Sequence, residues 1–343
     1  MSTYFSTFIV GLSDVVQTAL LSTIPDSKVL ESYDGLIIYQ TTAPIEKIRK
    51  LRFFNNSFLL YQKFGNLPFK EMIKSVLVSC HPGRLGRYRP VTSLDPGSSK
   101  YFRVVFSQEN KMVSVNPATL EQVEEYLHQE TDFLVNRSKP DVEFWFLKRS
   151  EGFGLFGQRL TYHPDYADIL EPGELRPELA YLLCLLSDPQ PDDVFLDPFA
   201  GSGAIPLERA RSFPAKKIIA SDINLAKVKK IERKVKDENL NVKVLKSDTT
   251  NLSEIATGSI TKIVTDPPWG LYNKTVNLKN LYTRMLKEFS RVLTKDGSVI
   301  LLVSNQALLQ KILTLSPRFK LLMTHQVSLS GKTAVFYILR KAC

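Results

Sequence analysis

No apolar run in this chain of 343 residues is long enough to cross a bilayer; the longest, such as Val299 to Val303, have the length of a strand. The opening MSTYFSTFIVGLSDVV lacks both a basic n-region and a continuous apolar h-region, so no secretory signal and a cytoplasmic location are expected. Cysteine is scarce, and Cys80, Cys184 and Cys343 lie too far apart for a disulfide framework or a zinc cluster. They read as thiols in a reducing compartment. His81, His128, His163 and His325 show no ligand spacing, so no metal is expected. No internal period marks a repeat protein. What remains is 43% hydrophobic and 23% charged, an ordinary globular composition with room for two or three domains.

The net charge of +10 is concentrated. Between Lys47 and Arg103 stand twelve Lys or Arg against two acids, Glu71 and Asp95, so the rest of the chain is close to neutral. This asymmetry points to a polyanion-binding face. Phe53, Phe54, Asn55, Asn56, Tyr61 and Tyr88 are interleaved with the cations, which suits RNA better than a membrane surface. Lys47, Arg49, Lys50, Arg52, Arg84, Arg87, Arg89 and Lys100 are the expected phosphate contacts. A second charged run, KVKKIERKVKDEN from Lys227 to Asn239, reads as a solvated helix face.

Residues 1–66 read as a small α+β unit with strands YFSTFIV, SKVLES and GLIIYQT and helices LSDVVQTALLST and PIEKIRKLRF. CHPGRLGRYRPVTSLDPGSSK reads as an exposed basic loop. Strand YFRVVFS, helix ATLEQVEEYLHQET and strand DVEFWFLKR follow in a second unit, 67–161, with GLFGQRLTY closing it. Residues 162–173 read as a linker. From 174 to 343, helix ELRPELAYLLCLLS precedes alternating apolar strands and helices, the pattern of a sheet covered on both faces.

In such a sheet, ligands bind beyond the carboxyl ends of the strands. Asp197, Asp222, Asp248 and Asp266 stand at that place on four strands. Asp197 opens DPFAGSG, where Phe199, Ala200, Gly201, Ser202 and Gly203 lead into a helix. The small residues among them let the backbone approach a ligand closely. The acid precedes the glycines, in D-x-x-x-G-x-G, which suits an ammonium and a sulfonium better than a pyrophosphate. Asp197 is expected nearest the ammonium. Asp222, followed by Ile223 and Asn224, can accept two adjacent ribose hydroxyls. Asp248, with Thr249 beside it, can accept from an adenine amine.

Asp266-Pro267-Pro268-Trp269 ends the strand KIVT. An exocyclic amine is a weak nucleophile because its lone pair is delocalised. Hydrogen bonds from its two N–H groups to Asp266 and to the Pro267 carbonyl would favour a pyramidal nitrogen. Pro267 and Pro268 stiffen the loop, and Trp269 offers a face on which to stack a planar base. Transfer in line needs positioning rather than a covalent intermediate.

The segments LRPELAYLLCLLS, FLDPFAGSGAIPLERA, ASDIN, KSD and TDPPWG resemble the class I methyltransferases that use S-adenosylmethionine and carry an N-terminal THUMP module. FRVVFS, VNRSKPDVEFWFL and GLFGQRLTY are similar to THUMP itself, over about Leu67 to Thr161. The resemblance implies a Rossmann-like domain with a seven-stranded, mostly parallel sheet behind an N-terminal α+β THUMP-like RNA-binding region. It implies that Leu175, Arg176 and Pro177 line the cofactor site and that Asp266 to Trp269 hold a guanine amine. Trp269 stands where Tyr or Phe is more frequent in these loops. The implied activity is guanine-N2 methylation of RNA, with tRNA ahead of ribosomal RNA and a small activating subunit as an optional partner. DNA adenine-N6 methylation, protein glutamine methylation and a silent RNA-binding paralogue stay open as alternatives.

Overall fold

The computed structural model describes residues 1–78, 90–91, 100–161, 174–270, 277–329 and 331–342. The chain opens with β1 (Ser2–Thr7), α1 (Ser13–Thr23), β2 (Lys28–Tyr33) and β3 (Leu36–Thr41), close to expectation. Helix α2 (Ile45–Arg49) is shorter than the PIEKIRKLRF segment suggests. Its last turn tightens through bonds from Lys50 N–H to the Lys47 carbonyl and from Leu51 N–H to that of Ile48. The chain then buries Phe53 and Phe54 instead of continuing the helix. Strand β4 (Asn56–Phe64) and helix α3 (Phe69–Val78) follow, neither anticipated from the sequence.

Next come β5 (Tyr101–Gln108), β6 (Lys111–Met112), α4 (Pro117–Thr131), β7 (Leu134–Val135), β8 (Val142–Lys148) and β9 (Gly154–Arg159). Helix α4 starts where Asn116 Oδ1 accepts from Ala118 N–H, with Pro117 at the first helical position. All nine strands form one sheet in the order β2-β3-β1-β4-β9-β8-β5-β6, with β7 also on β5. Strand β4 is antiparallel to both β1 and β9, so the sheet runs unbroken across residue 66. The two N-terminal units of the sequence reading are therefore halves of one sheet. At the seam, a Cβ on Gly157 would stand 2.4 Å from the Leu59 carbonyl oxygen, so only glycine fits.

The C-terminal half holds α5 (Pro177–Leu186), β10 (Val194–Asp197), α6 (Ala204–Ser212), β11 (Lys217–Asp222), α7 (Leu225–Asp237) and β12 (Lys243–Lys246). It continues with β13 (Ile260–Thr265), α8 (Leu278–Val292), β14 (Leu293–Val303), α9 (Gln306–Leu315), β15 (Phe319–Leu329) and β16 (Lys332–Lys341). Seven strands lie in the order β12-β11-β10-β13-β14-β16-β15. They are parallel from β12 to β14, and β16 and β15 add antiparallel pairings. Strand β15 was not anticipated, because it is an edge strand that leaves Leu321, Leu322 and Met323 exposed and so breaks the alternation.

Within the sheet, side chains alternate between two cores. Phe195, Ala220, Val264, Ile300, Leu302 and Phe336 face one, and Leu196, Ile219, Ile263, Val299, Leu301 and Tyr337 face the other. Helices α8 and α9 cover the second face. The first core is shared: Leu179, Leu182 and Leu183 of α5 lie in one cluster with Tyr4, Leu12, Leu20, Phe53 and Phe54 of the N-terminal sheet domain. No helix among the described residues is long and apolar enough to cross a membrane.

Two contacts fix how the halves join. Gly11, at φ +95°, lies so close to β15 that a Cβ there would stand 1.9 Å from the Gln326 carbonyl oxygen. Arg52 Nε and Nη2 each donate at 2.6 Å to the two carboxylate oxygens of Glu208 on α6, and Ser212 Oγ donates to the same carboxylate. Glu208 is fully buried, so removing its fork of donors strands a charge inside the protein. Arg52→Ala is expected to cost roughly 3 kcal/mol in urea unfolding, and Arg52→Ala with Glu208→Gln to restore most of it.

Candidate active site

Parallel pairing from β12 to β13 brings four strand ends to one edge of the sheet. Asp197 and Asp222 close β10 and β11. Asp248 lies two residues past β12, and Asp266 immediately follows β13. Gly201 (φ 57°) and Gly203 (φ 89°) hold left-handed conformations between β10 and α6, which a side chain would strain. The loop is pinned by bonds from Ala200 N–H to the Ser221 carbonyl (2.9 Å) and from Gly201 N–H to Asp222 Oδ2 (3.0 Å). Asp222 Oδ1 meanwhile accepts from Asn224 N–H at 2.8 Å.

The expected cofactor residues divide by what their polar atoms do. Ile223 is 65% exposed beside Asp222, an apolar side chain standing in the open at the mouth of the cradle. Asp248 is exposed nearby. The Asn224 side-chain oxygen is committed to capping α7, accepting from Ala226 N–H at 2.9 Å. The Thr249 hydroxyl is buried and donates to the Pro198 carbonyl at 2.6 Å, bracing the loop from behind. Phe199 packs on the core beneath α8. The Ser202 carbonyl accepts from Lys234 Nζ at 3.3 Å. A salt bridge of 3.1 Å from Lys230 on α7 to Glu174 brings the start of α5 to the same edge. There Pro177 opens the helix, and the exposed Arg176 guanidinium lies 3.8 Å from Glu178.

Asp197 is buried, and Oδ1 accepts from Thr265 Oγ1 at 2.6 Å and from Phe199 N–H at 3.1 Å. Burial pushes its carboxyl up to about 7, over the opposing effect of those two bonds and with nearby Asp222 adding to the rise. Burial likewise pushes the carboxyl of Asp266 up to about 8, against a bond from Trp269 and with Asp197 adding to the rise. As a whole residue Asp266 keeps some surface, but its carboxyl is the desolvated part. Among the described residues no Lys or Arg pairs with either acid. Two buried carboxylates without a cation fit a ligand that brings positive charge, as an amino-acid ammonium and a sulfonium do.

The loop after Asp266 is held at both ends. Trp269 Nε1 donates to Asp266 Oδ1 at 2.7 Å and to the Leu302 carbonyl at 3.2 Å, and the indole packs half-buried on the shared core. The expected stacking face is therefore on a ring whose edge is already in use. Tyr282 of α8, fully buried, donates its hydroxyl to the Pro268 carbonyl at 2.9 Å. No donor from the described residues reaches the Pro267 carbonyl. Sequence reasoning missed Thr265, though it sits next to the loop motif. It also missed Tyr282, which no spacing rule connects to Pro268.

The expected RNA contacts are only partly exposed. Lys47 and Lys50 are exposed on and beside α2. Arg52 is the correction, since its guanidinium is spent on Glu208. Arg49 is mostly buried and donates to Glu46 and to the Val91 carbonyl. Lys100 rests its ammonium 5.6 Å from the Phe133 ring centroid. Arg84, Arg87 and Arg89 lie outside the described residues.

Residues 164–334 match the family described as UPF0020: RMKL-like, methyltransferase domain. The chain is 33% identical over 188 residues to a tRNA (guanine(6)-N(2))-methyltransferase THUMP3 of Bos taurus, a match covering 50% of this chain and 37% of that protein. It is 28% identical over 246 residues to a tRNA (guanine(6)-N2)-methyltransferase of Thermus thermophilus, covering 70% of this chain and 72% of that one. The chain thus spans just over a third of the cattle relative. The crystal structure of TrmN from Thermus thermophilus superposes on the whole of both chains with a TM-score of 0.79 at 23% identity. Residues 164–334 thus form a UPF0020 RMKL-like methyltransferase domain with the class I methyltransferase fold, joined to an N-terminal sheet domain.

Proposed function

We propose that this protein transfers a methyl group from S-adenosylmethionine to the exocyclic N2 amine of a guanosine in RNA, and that the RNA is tRNA. The observation that carries the reading is the Asp266 carboxyl, buried at the sheet edge one hydrogen-bonded residue away from Asp197, which Thr265 braces. The two relatives named above, both tRNA (guanine(6)-N2)-methyltransferases by name, support the choice of acceptor.

Asp197, the Gly201–Gly203 turn, Asp222, Ile223 and Asp248 would hold the cofactor, with Arg176 and Pro177 at its other side. When bound, the cofactor would supply an electrophilic methyl, its carbon–sulfur bond breaking to leave a neutral thioether. The residues of this chain position the acceptor. Asp266 takes one N–H of the amine and the Pro267 carbonyl takes the other, which turns the nitrogen lone pair outward. As the N–C bond forms, the nitrogen must lose a proton. Once ionised, Asp266 can receive it, and a carboxyl pushed up to about 8 is a stronger base than an ordinary carboxylate. A guanine inside a helix would have to be unstacked to reach this loop.

Residues 67–161 serve as the THUMP-like RNA-binding unit in this reading, and Lys47, Lys50 and Lys100 contact the phosphate backbone from the N-terminal half. Because that half shares one core with the catalytic domain, RNA held there is presented at a fixed orientation. The reading places the enzyme in the cytoplasm and leaves room for a small activating protein.

Incubation with methyl-labelled cofactor and bulk tRNA, ribosomal RNA, DNA or protein, followed by nucleoside analysis, should put the label in N2-methylguanosine from tRNA. Label in N6-methyladenosine or methylglutamine would sink the proposal, and cofactor binding without any transfer would favour a silent paralogue. Asp266→Ala should abolish transfer and leave cofactor affinity nearly intact.

A second outcome follows from Asp197. In the free protein its carboxyl stays protonated up to about 7, and a cationic ligand favours the ionised form. Binding below that pH therefore releases a proton, and affinity should rise with pH by up to about tenfold per unit, levelling off above 7. Titration calorimetry in buffers of different ionisation enthalpy reads the proton directly, and Asp197→Asn should remove it.

A further inference from the structure

Trp269 offers a ring face on which a base can stack. Its indole nitrogen says more. Nε1 donates to Asp266 Oδ1 at 2.7 Å and shares the same hydrogen with the Leu302 carbonyl of β14 at 3.2 Å. We propose that Trp269 is a positioning residue whose indole N–H fixes Oδ1 of Asp266 to the sheet, so that Oδ2 is the oxygen offered to the acceptor amine. The inference rests on the amine-methylation reading above and deepens it.

Three observations carry it. The ring cannot drift, because it packs on the shared core and the preceding carbonyl, that of Pro268, is held by the buried Tyr282 hydroxyl. The donor cannot be supplied by the aromatic residues more usual in such loops: phenylalanine has none, and a tyrosine hydroxyl lies at the far end of its ring. Finally, no described residue other than Trp269 donates to the Asp266 carboxyl, so this one bond sets its rotation. A freely turning carboxylate would present either oxygen, and it would lose catalytic geometry with a displacement of under an ångström.

The same bond acts on charge. Among the described residues, the titratable groups facing Asp266 are Asp197 from β10 and Tyr282 from α8, while β14 contributes the Leu302 carbonyl. Asp197 disfavours the ionised form of Asp266, as burial does, and no cation opposes them among the described residues. The Trp269 N–H is the favourable contact with the anion. Without it the carboxyl would hold its proton to higher pH, and a protonated Asp266 offers the amine a competing donor.

The test pairs Trp269→Phe with a measurement that does not depend on activity. In the methylation assay, Trp269→Phe should lower kcat by about ten- to a hundredfold with the cofactor KM unchanged, and should move the acidic limb of the kcat–pH profile upward. A fall in kcat with the limb unmoved would mean that only ring size matters, and would overturn the proposal, as would wild-type kinetics. Independently, the indole N–H resonance assigned to Trp269 in nitrogen-15 spectra should titrate near pH 8 and cease to do so in Asp266→Asn. A resonance indifferent to that substitution would overturn the proposal too. If the wild type transferred no methyl to RNA, the acceptor reading would fail while the spectroscopic arm still decided the role of Trp269.

Discussion

Two carboxyl groups, Asp197 and Asp266, are buried at one edge of a parallel sheet with no cation of the described chain to answer them. Much of the catalytic domain can be understood from that constraint. Uncompensated buried anions are costly, so each is held in a protonatable state and given neutral donors: Thr265 and the Phe199 amide for one, the Trp269 indole for the other. The donors come from neighbouring strands and loops, so the acids can be placed correctly only if the sheet register is correct. In the proposed function, burial that would weaken a merely structural site suits this one to a positively charged ligand and an amine.

The N-terminal half is built to keep that edge rigid as well as to extend the surface. Its sheet does not sit on a flexible tether. Leu12, Phe53 and Phe54 enter the same core as Leu179 and Leu183 of α5, and Arg52 reaches the buried Glu208 of α6, the helix that begins at the cofactor turn. A bidentate pair of this kind contributes little net stability against an apolar substitute, but it sets orientation strictly. The helix that follows the Gly201–Gly203 turn is thus fastened to the N-terminal half.

The catalytic half was legible because its signals are local. Asp197, the two glycines and the Asp266 loop each sit at a strand-to-turn junction that residue type alone announces. Apolar runs such as SVILLVS announce the strands between them. Local signals fail where a partner lies far along the chain. Tyr282 reaches Pro268 only because α8 packs on one face of the sheet, and β15 keeps Leu321, Leu322 and Met323 exposed because it is an edge held by β16. Strand β4 was invisible because it pairs with β1 and β9, about fifty and about a hundred residues away, and the boundary drawn at residue 66 fell on that junction. The Trp269 bond is a middle case: the residue was singled out for its ring, and its N–H mattered as much.

Charge shows the same limit in a more consequential way. The excess between Lys47 and Arg103 is a property of the sequence window, not of a surface. In space, Arg52 pairs with Glu208, Lys63 with Glu31 and Arg103 with Glu143, acids that all lie outside the window. Arg49 and Lys74 pair with Glu46 and Glu71 along their own helices. Lys47, Lys50 and Lys70 remain exposed without an ion pair among the described residues. Each phosphate contact adds to the salt dependence of RNA binding, so the described part of the window supports a shallower salt slope than twelve cations would suggest. Much of what looked like a grip on RNA is the means by which the N-terminal half is held together and held to the catalytic domain.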